Sequence, residues 1–500
     1  MRIAALDVGS NSLHLVVVEV DAVGNQRVLA REKAMVRLAR GNAQTGEIAP
    51  EAFQEGLEAL ALMAQVIEGF HCDTVMACGT AALRDARNAG AFVAEAAKLG
   101  LPIRIISGEE EARLIHLAVS HAIPFPQGPV VLMDIGGGST ELTWVEAGRV
   151  LASKSIPFGL QRLAEACPTA DPPTLADFKR LRRFTRKVLK KARKALPPGL
   201  PMPLLVLGTS GTLEDLAQGA SANHRFDTVQ LRRFRKKLWS TDAQGRLKLG
   251  VPPKRAEVLH VGAVWAMALL DLLGNPPVQH LPVGLREGMI WDALAHGGAA
   301  IPPLAERRRA SVEALAARHD PDPGHSRHVA DLADQLFREL QPWFELGERE
   351  REWLQQASRL HDIGFSVAEK GHHKHGAYLL RAAPLPGFWA EEVDILAQIV
   401  RHHRGKAPNP EKHEAFRNLP PWHRDTVLKL TGILRAADAL DRRRRQSVTA
   451  LRIEDGDPAL VLRIQGAGEL GPELEALDDK GSLLVGLLGR PVRVVWETTC

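Results

Sequence analysis

VVLMDIGGGSTELTWV, residues 130–145, is the stretch on which the fold turns. A β-branched apolar run from Val130 leads into Asp134, then Gly136, Gly137, Gly138, Ser139, Thr140 and Glu141, and out through a second alternating apolar run. The pattern predicts a tight β-hairpin suited to anions. Three consecutive glycines have no Cβ to hold a ligand away from the backbone, so successive N–H groups can point at phosphate oxygens. Asp134, at the strand end, can hold a hydrated Mg²⁺ against the same phosphates. A glycine-rich hairpin with no ligand is the competing reading of this stretch taken alone.

A second copy stands at the N-terminus. Arg2–Val8 and Leu13–Val20 are strand-like runs, the first carrying Asp7 near its end, joined by Gly9, Ser10, Asn11 and Ser12. Two such hairpins imply an internal duplication, with a phosphate cleft between two α/β halves. Between them, Thr74–Cys78 reads as a buried strand and Thr80 as the cap of a helix carrying Arg84 and Asn88 on one face. The guanidinium fork of Arg84 matches phosphate oxygens; a solvated helix arginine is the alternative. Ile103–Ile106 then runs into Ser107, Gly108 and a helix opened by Glu109, Glu110 and Glu111, where acids complement the helix dipole.

The chain has 500 residues, enough for roughly three or four domains. Its 45% hydrophobic and 25% charged content are those of an ordinary globular protein. The uncharged run Val258–Leu270 is too short to span a bilayer, and Asp7 interrupts the N-terminal run where a signal peptide needs its apolar core. Cys72, Cys78, Cys167 and Cys500 have neither disulfide-framework nor zinc spacing. These features place the protein in the cytoplasm with no membrane partner.

In the second half, Pro172 and Pro173 precede a helix expected over about 174–195, with ten Lys or Arg and no acid between Lys179 and Lys194. Leu181, Phe184, Val188 and Ala192 form its apolar seam. With the net charge of +5, the run reads either as a solvated face or as a track for a polyanion. Arg232, Arg233, Arg235, Lys236 and Lys237 form a second basic cluster, and nucleic acid is not the expected partner, because no base-stacking aromatic accompanies these runs apart from Phe184 and Phe234. Leu204–Leu207 is a strand ending at Gly208, and Ser210, Gly211 and Thr212 start a helix, a third plausible anion site. Gly284–Gly288 precedes another helix as a phosphate turn or a plain one.

Residues 297–303, GGAAIPP, mark a boundary, after which the chain is helical and histidine-rich. His325, His361, Asp362 and Asp438 appear in order on helical segments, with His375 and His403 between them. Imidazoles and carboxylates converging from several helices build a divalent-metal site in a bundle. Ala450–Glu454, Ala459–Ile464 and Val492–Glu497 read as strands around a helix at Gly471–Asp479.

The paired hairpins resemble the superfamily of actin, the sugar kinases and the heat-shock chaperone ATPases. More specifically, DVGSNS (7–12), GTAALRDARN (79–88), SGEEEARL (107–114), DIGGGSTEL (134–142), GTSGTL (208–213) and GLREG (284–288) resemble the exopolyphosphatase and guanosine pentaphosphate phosphatase family. The histidine pattern is similar to the HD metal-dependent phosphohydrolases. The resemblance implies two ribonuclease-H-like halves (1–126 and 127–298), an all-α HD-type domain (304–445) and a small α+β tail (446–500). It implies Glu111 as the catalytic carboxylate, helped by Glu141; Mg²⁺ on Asp7 and Asp134; and phosphate ligands from Gly9 to Ser12, Arg84, Gly136 to Thr140, Gly208 and Ser210 to Thr212. A second divalent metal is expected on His325, His361, Asp362 and Asp438. The implied substrate is inorganic polyphosphate or guanosine pentaphosphate, and the implied assembly a homodimer. A non-catalytic phosphate sensor is the reading from a different class.

Overall fold

The apolar runs flanking the two aspartates are the central strands of two sheets. In the computed structural model, which describes residues 1–21, 26–40, 45–221, 224–298 and 301–498, the chain divides into two compact units, 1–304 and 305–500. Cys500 and part of the 297–303 boundary lie outside the described residues.

The first sheet contains β1 (Arg2–Val8), β2 (Leu13–Val20), β3 (Gln26–Ala34), β4 (Thr74–Gly79) and β5 (Ile103–Ile105), in the order β3-β2-β1-β4-β5. The second contains β6 (Pro129–Ile135), β7 (Thr140–Glu146), β8 (Arg149–Ile156), β9 (Leu205–Gly208), β10 (Arg225–Phe226) and β11 (Val278–His280), in the order β10-β11-β9-β6-β7-β8. Both are one design: a meander of three antiparallel strands whose first member pairs in parallel with a later strand, β1 with β4 and β6 with β9. Helices cover both faces of β1, so Ile3 to Leu6 are fully buried and read as an unbroken apolar run.

Three local readings change. The helix expected to carry Arg84 and Asn88 stops at Asp85, where Ala86 turns extended (φ −91, ψ 130). Asn88 opens the next helix, Ala89–Lys98, and its amide clasps the backbone of Ile48 at 2.9 and 3.0 Å. In the basic helix Leu175–Lys194, closed by a Thr174–Asp177 capping box, the seam runs through Leu181, Thr185, Leu189 and Ala192, while Phe184 and Val188 are only partly buried. The last helix of the second half, Leu285–His296, returns to the first sheet, where Met289, Ile290, Trp291 and Leu294 share a core with Ile3, Ala5 and Val16. Gly288 permits this: a Cβ there would collide with the backbone carbonyl of Leu114.

The second unit is a bundle of helices Pro323–Phe344, Glu348–Leu360, His372–Ala382, Ala390–His402 and Pro421–Ala439, with a sheet of β12 (Val448–Glu454), β13 (Leu460–Gly466) and β14 (Val492–Thr498). The expected division at 445/446 does not separate two cores. Val448, Leu451, Leu462, Ile464, Leu470, Leu477 and Leu484 belong to the same apolar cluster as the bundle. Gln335 and Glu339 accept from the amides of Leu451 and Ile453 at 3.0 and 2.8 Å, so helix side chains satisfy an otherwise open sheet edge.

Candidate active site

The two hairpin turns are built alike. Gly9 N–H donates to Ser12 O at 3.2 Å, and Gly136 N–H to Ser139 O at 3.0 Å. Loop carbonyls are taken up by neighbours: Ser10 O and Asn11 O accept from Ala39 and Arg37, while Gly136 O and Gly137 O accept from the amides of Leu160, Gln161 and Arg162. The amides of Ser10, Asn11, Gly137, Gly138 and Ser139 have no hydrogen-bond partner among the described residues. None of the three glycines has a positive φ. Their role is close approach, because a Cβ on Gly138 would lie 2.5 Å from Ser10 Oγ and 2.9 Å from Ala81 Cβ, and one on Gly137 3.3 Å from Ser10 Cβ.

Four carboxylates gather beside these loops. Asp134 stands opposite Glu141 in the β6–β7 register, with Asp134 Oδ2 accepting from Thr209 Oγ1 at 2.8 Å and Glu141 Oε1 from Ser155 Oγ at 2.8 Å. Glu111 enters from the first turn of helix Gly108–Ala122, capped by Ser107, and meets Arg84 at 3.4 Å, while the same guanidinium nitrogen donates to Ile106 O at 2.7 Å. Gly108 lets that helix approach, since a Cβ would collide with the side chain of Ser155. Burial pushes Asp7 up to about 7, with Asp134 and Glu287 adding to it and Arg286 and Lys33 opposing. Burial and Asp134 carry Glu141 up to about 7 as well. Glu111 is raised well above the usual carboxylate range by burial, then by Glu141, and Asp134 is raised by burial. Asp7 Oδ1 and Glu141 Oε2 are buried with no hydrogen-bond partner. Crowded, half-satisfied carboxylates of this kind fit a hard divalent cation.

Not every expected ligand reaches the cleft. Gly208 is buried within β9 against Leu213, and Thr212 is fully buried. Thr140 Oγ1 is spent inside, donating to Phe158 O at 2.7 Å and accepting from Trp265 Nε1 at 2.9 Å. Ser210 Oγ accepts from Ile135 N–H at 3.1 Å and Leu213 N–H at 3.4 Å, tying the hairpin to the start of helix Gly211–Ala220. Thr209, Ser155 and Arg286 are neighbours of the four acids that the sequence reading missed; Thr209 and Arg286 lie inside the GTSGTL and GLREG stretches, whereas Ser155 has no local signal. Lys33 lies against Lys254, near Arg255 and Arg286; burial and these cations bring it down to about 8. Arg255 is paired with Asp215 at 3.2 Å, and the remaining positive charge beside the Gly9–Ser12 turn suits a multiply charged anion.

In the second unit, His325, His361, Asp362 and Asp438 converge, joined by His372 and His403. Nδ1 of each histidine faces an acceptor: Asp441 Oδ2 at 2.8 Å for His325, Ser358 O at 2.7 Å for His361, Glu369 O at 3.1 Å for His372 and Val400 O at 2.8 Å for His403. That assignment leaves the Nε2 lone pairs facing inward. They stand 3.6 Å (His361, His372), 3.8 Å (His403) and 3.9 Å (His325) from Asp362, and His325 Nε2 is 3.5 Å from Asp438. Two triads, His325/His361/Asp362 and Asp362/His372/His403, each have ligand atoms within 4.8 Å of one another. His361 Nε2 is buried with no hydrogen-bond partner, and the donor set suits a divalent metal. Arg444 binds Asp362 Oδ2 at 2.7 Å and Lys480 binds Asp438 Oδ2 at 2.5 Å, balancing the acids from outside.

Duplicated α/β halves whose loops offer free amides beside four buried acids define a phosphate-handling enzyme. Residues 16–296 match the Ppx/GppA phosphatase family, and residues 307–464 match Ppx/GppA phosphatase domain III; the chain belongs to that family. A solved exopolyphosphatase from Cytophaga hutchinsonii ATCC 33406 is 26% identical, covers 59% of this chain and 98% of its own, and superposes with a TM-score of 0.55. The Ppx/GppA family member of Aquifex aeolicus is also 26% identical, over 59% of this chain and 98% of its own, with a TM-score of 0.51.

Proposed function

We propose that the cleft is an exopolyphosphatase site, releasing orthophosphate from the end of inorganic polyphosphate. The observation that carries this reading is the burial of Glu111 beside Glu141, Asp134 and Asp7, between two loops of unpartnered amides. Asp7 and Asp134 would hold a Mg²⁺, which when bound would supply charge neutralisation on the phosphate oxygens. Free amides of the two loops orient the terminal phosphate, and Arg84, already anchored on Ile106 O, adds a charge-assisted contact. Glu111 accepts the proton of the water that attacks the terminal phosphorus; the P–O bond to the remaining chain breaks, and that chain leaves as the shortened anion. Glu141, held by Ser155, keeps the Glu111 carboxylate basic by repulsion. Lys33, Lys254, Arg255 and Arg286 favour the remaining phosphates. The same chemistry would remove the γ-phosphate of guanosine pentaphosphate, which makes that nucleotide the necessary comparison substrate.

In the second unit we infer an HD-type metal centre on His325, His361, Asp362 and Asp438, extended by His372 and His403. The test is metal content by mass spectrometry. His361→Ala with Asp362→Ala should lose bound divalent metal while keeping polyphosphate hydrolysis within about twofold; full metal retention would remove these residues from the centre.

A further inference from the structure

The Nε2 atoms of His372 and His403 stand 3.3 Å apart. Each ring's Nδ1 faces a carbonyl oxygen, Glu369 O at 3.1 Å and Val400 O at 2.8 Å, so each proton belongs on Nδ1 and the two Nε2 lone pairs oppose one another. Asp362 Oδ1 completes the group, 3.6 Å from His372 Nε2 and 3.8 Å from His403 Nε2. Three acceptors facing one another repel, and a cation among them turns the same arrangement into an attraction. The spacing suits one: two imidazole nitrogens held tetrahedrally at about 2.0–2.1 Å from a metal lie roughly 3.3–3.4 Å from each other.

The packing holds the rings in place. His372 and His403 are each 2% exposed, the Phe365 ring stacks on His372 at 3.9 Å between centroids, and a Cβ on Gly364 would collide with the His372 carbonyl. The ligands of one ion stand at most twice the bond length apart, roughly 4.4 Å. The histidines here gather instead as two triads, His325/His361/Asp362 and Asp362/His372/His403, with Asp362 the shared member. Its carboxylate faces both ways, Oδ1 toward His372 and His403, and Oδ2 toward His325 at 3.9 Å.

We propose that His372, His403 and Asp362 hold a second divalent transition metal, bridged through Asp362 to the ion inferred above on His325, His361, Asp362 and Asp438. The proposal rests on that first centre. Imidazole donors select zinc, iron or nickel over Mg²⁺, which prefers an all-oxygen shell. Three protein ligands keep a coordination position open to water or to an anionic oxygen.

The experiment counts Mn²⁺, a paramagnetic probe that accepts both donor types, in the full chain carrying Asp7→Asn with Asp134→Asn, so that the acids of the first unit do not contribute. After loading and removal of free metal, this parent should hold two Mn²⁺ per chain and show the spin-coupled resonance spectrum of neighbouring ions. Adding His372→Ala with His403→Ala, or the milder His403→Gln alone, should leave one Mn²⁺ with the six-line spectrum of an isolated ion. Retention of that ion shows that the bundle has folded. One isolated Mn²⁺ in the parent, kept in both variants, would overturn the second site and leave the first centre standing. One Mn²⁺ in the parent, lost in both variants, would assign all the ligands to a single ion and overturn the proposal. No Mn²⁺ in the parent would overturn both sites.

Discussion

At the scale of single residues, the site rests on carboxylates placed where ionising all of them is costly. Glu111→Gln keeps the shape and removes the base, so kcat on polyphosphate should fall by roughly 10²–10⁴-fold with binding largely kept. Unchanged turnover would take Glu111 out of the mechanism. The raised acids also set a pH dependence. A carboxyl raised in the folded state contributes stability below its unfolded value and loses it as pH rises through the folded one, here about 7 for Asp7 and Glu141. Thermal unfolding should therefore show a larger stabilisation by Mg²⁺ at pH 8 than at pH 5.5, and Glu141→Gln should raise the chelator-treated melting temperature at pH 8. Equal Mg²⁺ shifts at the two pH values would contradict this. Asp7 and Asp134 were legible as strand-end acids beside glycine turns. Glu111 was legible only by resemblance, because an acid in a first helical turn has an ordinary explanation. Ser155 was not legible, because its contact with Glu141 depends on a strand register.

At the scale of elements, the glycine turns are close-approach devices. Gly138→Ala should leave the second unit folded, destabilise the first by about 1–3 kcal/mol through overpacking on Ser10 and Ala81, and abolish most turnover. The alternation of apolar residues revealed both hairpins because each strand pair is local. The same reading ran Ala81–Asn88 as one helix, since Asn88 is recruited by Ile48, forty residues away. The basic helix remains an open surface: Arg183, Arg186, Lys187 and Lys190 are all exposed or half-exposed. If it guides the chain, reversing these four charges should raise KM for long polyphosphate several-fold, flatten its salt dependence and spare tripolyphosphate. Equal effects on long and short chains would make it a solvated face.

At the scale of the whole molecule, the first compact unit gathers four acids beside two loops and the second gathers histidines and acids that could hold a metal ion, and the shared core at 305–500 explains why the C-terminal strands gave no chemistry of their own in the sequence. The order of His325, His361, Asp362 and Asp438 was readable along the chain. His372 was not, because selecting it over His375 takes the packing of helix His372–Ala382 against Ala390–His402. The central claim is that the cleft cuts terminal phosphoanhydrides of a polymer. Orthophosphate release by the purified chain with Mg²⁺ tests it most directly, with long-chain polyphosphate and guanosine pentaphosphate at matched terminal-phosphate concentration and Glu111→Gln as control. The account predicts faster release from the polymer, lost in the variant; release confined to the nucleotide, or release that survives Glu111→Gln, would contradict it.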